Sequence, residues 1–177
     1  MDLKFLFTDF SGRIRRRHFW FGSLIMIAVG LLIAMLLSAT LGLGLISGAE
    51  MAGETITDFD TQMENITQSG WLSLLLFLIF FSPGAALSIK RRHDRGAAGT
   101  DVWVFYGLQL LLLLAQVTGL GYTAQELGGL TIATPTTLYK VVSSLMGILG
   151  LYLIVVMGFL KGTEGPNAYG PDPKGEA

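Results

Sequence analysis

Four long runs without a charged residue organise the chain, at 19–49, 70–89, 102–125 and 141–160. A helix needs about 20 apolar residues to cross a bilayer's hydrocarbon core, and each run supplies that length. The pattern predicts four spans, at about 19–46, 70–89, 102–122 and 139–160. The first is longer than crossing requires, so it should tilt or project beyond the bilayer. It is also about twice the length of a signal-peptide core and is followed by three more spans, so it reads as an uncleaved first span.

The polar segments between the runs differ in sign. Lys4, Arg13, Arg15, Arg16 and Arg17 precede the first span. Lys90, Arg91, Arg92 and Arg95 separate the second from the third, and Lys161 and Lys174 follow the fourth. The segment between the first two spans has no Lys or Arg and carries Glu50, Glu54, Asp58, Asp60 and Glu64. The next such segment holds only Glu126, with Lys140 at the start of span four. Eleven of the 12 basic residues thus fall on one side. Basic loops stay in the cytoplasm, which predicts an all-α integral membrane four-helix bundle with both termini cytoplasmic. Residues 1–18 form a cytoplasmic lead-in, 19–162 the membrane domain and 163–177 a Gly/Pro-rich tail. The outer segment 50–69 reads as an acidic loop too short for a domain, and its Asn65-Ile66-Thr67 glycosylation match as chance.

Composition agrees with that class. The 177 residues are 51% hydrophobic and 14% charged, with a mean hydropathy of +0.58. A soluble domain carries about 25% charged residues. With no cysteine, disulfides, thiolate zinc sites and cysteine nucleophiles are excluded.

Within the spans, Gly30, Ala34, Ser38 and Gly42 recur at four-residue spacing, continued by Gly44 and Gly48, and mark a face for close helix packing. Pro83-Gly84 predicts a kink in span two, with Ser82 placed to satisfy the freed carbonyl. Gln109 and Gln116 share one face of span three and predict interhelical hydrogen bonds, or else a polar lining for a solute. Phe5, Leu6, Phe7 and Phe10 make the lead-in apolar. It either lies in the membrane interface or packs against helix ends.

Three cytoplasmic segments are distinctive. The first is Gly12-Arg13-Ile14-Arg15-Arg16-Arg17-His18-Phe19-Trp20, the second Lys90-Arg91-Arg92-His93-Asp94-Arg95-Gly96, and the third Gly165-Pro166-Asn167-Ala168-Tyr169-Gly170-Pro171-Asp172-Pro173. Together they resemble a family of small bacterial inner-membrane proteins known as domain of unknown function 805. Its G-R-x-x-R-x-x-F-W start is matched by Gly12, Arg13, Arg16, Phe19 and Trp20. Its R-R-L-H-D-x-G loop is matched by Arg91, His93, Asp94 and Gly96, with Arg92 at the leucine position. Ala98-Gly99-Thr100 stands where Ser-Gly-Trp is usual. The G-x-N-x-Y/F-G-x-D-P tail is matched by Gly165, Asn167, Tyr169, Gly170, Asp172 and Pro173. The resemblance implies a helical membrane protein and supplies no catalytic residues.

The chemistry of these segments is partly that of topology and capping. Lys90 to His93 complement the negative end of the second span. Thr100 and Asp101 are placed to cap the third. Arg13 to Arg17 lie at headgroup depth beside the aromatic belt Phe19, Trp20 and Phe21. Topology explains neither His93 nor Asp94. Asp94 is expected to pair with Arg13 or Arg16, and the tail to fold back over the pair. The candidate cluster is therefore Arg13, Arg16, Trp20, Arg91, His93, Asp94, Asn167, Tyr169 and Asp172. His18, His93 and Asp94 among so many arginines make a poor cation site, so no metal and no cofactor is expected.

The leading expectation is a non-enzymatic inner-membrane protein whose basic cytoplasmic face binds anionic lipid headgroups or a protein partner. No nucleic acid is expected, and a homo-oligomer stays open. A transporter or channel subunit using Gln109, Gln116 and the Pro83 kink is the alternative, weakened by the lack of a charged residue deep in any span. A lipid-phosphate enzyme using His93 and Asp94 as acid and base is the weakest.

Overall fold

The computed structural model describes residues 2–41 and 58–173, without the side chains of Ser38 and Leu41. Glu50, Glu54, Lys174 and the small residues Gly42, Gly44 and Gly48 lie outside the described residues. The elements in order are helix α1 (Leu3–Thr8), α2 (Arg16–Leu41), α3 (Phe59–His93), α4 (Thr100–Val117), strands β1 (Tyr122–Leu127) and β2 (Leu130–Pro135), and α5 (Thr137–Ile154). A π-helical turn, Val155–Phe159, prolongs α5. The protein is mostly helical. Four helical segments, Arg16–Leu37, Phe59–His93, Thr100–Val117 and Thr137–Phe159, are long and apolar enough to cross a membrane.

The chain divides into two units. One comprises Met1–Gly30, Leu78–Gly107 and Gly147–Ala177, the other Leu31–Phe77 and Leu108–Met146. The first contains both terminal segments and the loop between α3 and α4. Its core joins Leu6, Ile14, Phe19, Ala85, Leu87, Ile89, Val102, Leu153 and Met157. The lead-in therefore contributes to a core: Leu6 and Ile14 are almost fully buried. This is the packed alternative of the two sequence readings.

α3 runs through Pro83, and the adjacent Gly84 has a packing reason. A Cβ there would stand 2.4 Å from the Tyr106 hydroxyl. The α3–α4 turn has Gly96 and Gly99 at φ +72° and +78°, a region that side chains other than glycine enter at a cost. Asp101 lies in the first turn of α4. Its carboxylate accepts from Arg92 Nε at 3.1 Å as well as from the Val102 N–H.

The second unit corrects two expectations. The acidic segment before span two is helical from Phe59, so Asn65-Ile66-Thr67 sits within α3 rather than in a loop. This extension has partners: Gln116 Nε2 donates to the Ile66 carbonyl and to Ser69 Oγ, both at 3.2 Å. Gln62 Oε1 accepts from Ala133 N–H at 3.0 Å. Gln116 thus makes the interhelical bond expected of it. Span three ends at Val117, short of 122, and the chain then forms a two-stranded antiparallel hairpin, a minor addition to the helical fold. Gly128 and Gly129, at φ +62° and +84°, supply the two positive-φ positions of a tight hairpin turn. Of the small-residue face on α2, Ala34 is buried, and Gly30 meets the Phe80 ring at the distance of ordinary contact.

Replacing Gly84 with alanine forces the partly buried Tyr106 to move, and overpacking of this kind costs about 1–3 kcal/mol. Gly107→Ala, where nothing lies within 4 Å, should be tolerated. Thermal unfolding in detergent should show a lowered midpoint for the first variant alone.

Candidate functional site

The site begins with the end of α5. The last four carbonyls of a helix have no partner within it. At the edge of a membrane they need another donor. The π-helical turn closes with Leu160 N–H on the Val155 carbonyl at 3.3 Å and leaves the following carbonyls to side chains. Arg91 Nε donates to the Met157 carbonyl at 2.7 Å, and its Nη2 donates to that of Leu160. Trp20 Nε1 donates to Gly158 at 3.0 Å, and Arg16 Nη1 to Phe159 at 2.8 Å. Arg95 Nη1 takes Lys161 at 2.8 Å. Five consecutive carbonyls are thus met by side chains from two other segments. Four of these bonds come from cations at the negative end of a helix, where they also complement the dipole. Gly158 permits this closeness, since a Cβ there would stand 2.6 Å from the Trp20 ring.

Asp94 ties those donors to the rest of the unit. Arg91 Nη1 pairs with Oδ2 of the carboxylate. Arg13 approaches Oδ1 with Nε at 3.2 Å and Nη2 at 3.1 Å. The remaining donors of Arg13 go to carbonyls of the tail: Nη2 to Thr163 at 2.7 Å, Nη1 to Gly165 at 2.7 Å and to Gly170 at 3.3 Å. Asp94, Arg13 and Arg91 are 4%, 6% and 0% exposed. Buried charges at these depths persist only when paired and hydrogen-bonded. Gly162 lies against the carboxylate, where a Cβ would stand 1.9 Å from Oδ2. Of the two partners expected for Asp94, Arg13 is the one that pairs, and Arg16 serves the helix end instead.

The tail closes over His93. The His93 ring stacks on Tyr169 with centroids 3.9 Å apart and planes 6° from parallel. His93 Nδ1 lies 3.2 Å from the Gly12 carbonyl. Asn167 Nδ2 donates to the His93 carbonyl at 3.0 Å, and Asn167 Oδ1 accepts from Tyr169 N–H at 2.8 Å. Asp172 Oδ2 accepts from Gly165 N–H at 3.0 Å. Thr163 donates its N–H and its hydroxyl to the Asp94 carbonyl, at 2.8 and 3.0 Å. The nine residues of the sequence-derived cluster all fall within this one unit. His93 and Asp94, however, face different partners, so they do not form an acid–base pair with each other.

Lys90 was expected to complement its own helix. It instead reaches across to the lead-in, where its ammonium donates to the carbonyls of Phe5, Leu6 and Asp9. It also stands 4.7 Å from the Phe5 ring centroid. It is fully buried and fixes α1 to the end of α3. The Ser11 hydroxyl and N–H both donate to the Asp9 carboxylate and hold it below its usual pKa. Gly162 and Thr163 were also missed. Residues that pack on or bond to a partner distant in sequence have no local sequence signature, so only the fold reveals them.

Beside Asp94 lies an open cleft of about 350 Å³. Arg15, Arg16, Arg17, Arg91 and Lys161 contribute its cations, and Asp94 and Asp172 its carboxylates. Arg15 Nε donates to the Pro173 carbonyl at its rim. Among the described residues no group of three His, Asp or Glu is placed to hold a metal ion.

Residues 7–171 match the family model described as protein of unknown function (DUF805), and the chain belongs to that family. It is similar to the uncharacterized protein YiiR of Escherichia coli K12, with 27% identity over 164 residues, 93% of this chain and 85% of the relative. It is also similar to the inner membrane protein YhaI of the same strain, with 24% identity over 168 residues, 95% of this chain and 88% of the relative. No solved structure matches.

Asp94→Asn should remove the charge of the carboxylate that stands between two buried guanidinium groups, at a cost of about 3–5 kcal/mol. Arg13→Lys should also destabilise, because one ammonium cannot reproduce the fork that serves Asp94 and the tail together. Unfolding midpoints in detergent should fall for both. An unchanged midpoint for Asp94→Asn would contradict the pairing.

Proposed function

We propose that this DUF805 protein is a non-catalytic, multi-pass protein of the bacterial inner membrane. Both termini are cytoplasmic, and the basic unit engages anionic lipid headgroups. Four apolar helices and the name of the relative YhaI support the location. The distribution of Lys and Arg supports the orientation.

One observation carries the lipid reading. Arg13, Arg15, Arg16, Lys90, Arg91 and Arg95 donate to neutral carbonyls, which leaves their charge in place. In this unit ten described Lys and Arg accompany six Asp and Glu. Arg13 and Arg91 pair with Asp94, and Arg92 with Asp101, so three of the cations share two of those acids. The excess lies at the ends of the spans, at the depth where an anionic leaflet attracts each basic residue by about 1 kcal/mol.

Native mass spectrometry of protein released from mixed phosphatidylethanolamine and phosphatidylglycerol should show preferential retention of phosphatidylglycerol. Equal retention of the two would contradict the reading. Because the chain has no cysteine, single cysteines placed at Thr8 and Glu64 report orientation. An impermeant thiol reagent added outside intact spheroplasts should label the second and not the first. The reverse pattern would overturn the topology.

A further inference from the structure

We propose that the cleft beside Asp94 is a discrete phosphate-binding site, gripped by Arg15, Arg17 and Lys161. This deepens the headgroup reading above and rests on it for the source of the phosphate.

The cleft has the size of a small-ligand site, at the lower end of the 300–1,000 Å³ range typical of such pockets (about 350 Å³ here). Its charge is one-sided. Five cationic side chains line it against two carboxylates, and those two are already engaged. Asp94 is held by Arg13 and Arg91, and Asp172 accepts from the Gly165 N–H.

The lining cations divide by what else they do. Arg91 commits Nε, Nη1 and Nη2 to Met157, Asp94 and Leu160, so it forms a fixed wall. Arg16 commits Nη1 to Phe159. Arg15 is anchored through Nε on Pro173, and among the described residues its two terminal amino groups have no recorded partner. A guanidinium has five N–H donors, and two terminal amino groups match a pair of phosphate oxygens. Arg17 and Lys161 are exposed at the rim. An arginine anchored through Nε, with exposed cations beside it, suits a phosphate oxyanion.

Position then selects the source. Arg16 and Phe159, joined by a hydrogen bond at the cleft, are the end residues of two candidate spans. A phosphate bound there sits at the level of lipid headgroups, as a phosphodiester such as that of phosphatidylglycerol would. A soluble phosphate ester shares the same chemistry.

The test compares the whole protein with Arg17→Glu, Arg17→Gln and Lys161→Glu, and with Lys4→Glu as an exposed basic position outside the cleft. One measurement counts phosphatidylglycerol retained in native mass spectrometry, and the other titrates glycerol 1-phosphate. Unchanged unfolding midpoints establish that the variants are folded. The glutamate variants in the cleft should bind phosphatidylglycerol about tenfold more weakly, Arg17→Gln less severely so, and Lys4→Glu as the wild type does. If Lys4→Glu loses as much as the cleft variants, binding is diffuse. The site is then overturned while the headgroup reading stands. If the protein takes glycerol 1-phosphate through Arg17 and Lys161 but retains no phosphatidylglycerol, the phosphate site stands and the lipid reading falls. If the wild type binds neither, both are overturned.

Discussion

A helix that ends where a membrane ends must hand its last carbonyls to something other than itself, and the basic unit is built around that requirement. The carbonyls from Met157 to Lys161 are met by Arg91, Trp20, Arg16 and Arg95. Those donors come from the start of α2 and from the end of α3 with the turn after it, so satisfying one helix end fixes the positions of two others. Lys90 repeats the device on α1, holding three carbonyls of the lead-in. An unsatisfied carbonyl in a water-poor setting costs several kcal/mol, which makes each of these side chains a structural part before it is anything else.

Carbonyl capping leaves a charge problem that Asp94 partly solves. Arg13 and Arg91 are both buried, and one carboxylate stands between them. Arg13 then extends to Thr163, Gly165 and Gly170, so the tail is ordered by the same residue that pairs with the loop. Capping by neutral acceptors does not discharge the remaining arginines. The surplus is what a phosphate group would find at the cleft, and it arises from the same cause as the fold itself.

Much of this was legible in the sequence because it depends on charge and periodicity. The four apolar runs and the one-sided basic residues announce the spans. Asp94 stands out because a carboxylate among arginines has no topological purpose; the sequence leaves Arg13 and Arg16 as its partners, and the structure selects Arg13. The carbonyl targets were not legible, since a backbone acceptor looks the same at every residue. Lys90 was for this reason assigned to its own helix when it serves another. The hairpin was masked differently. Gly128-Gly129 is a turn signal, but it follows an apolar run long enough to be read as a span reaching 122. The helical start of α3 was hidden by its acids, which suggested a loop, while Gln62 and Gln116 hold it through bonds distant in sequence.

The central claim is that Asp94 and Arg13 form an energetic link, rather than merely being neighbours, at the centre of the basic unit. A double-mutant cycle on Arg13→Ala and Asp94→Ala, read by equilibrium unfolding in detergent, measures that link directly. Residues within one buried network couple by about 0.5–3 kcal/mol. The account expects a favourable coupling of at least about 1 kcal/mol, with the two losses far from additive. Additive losses, with no coupling between the two sites, would contradict it.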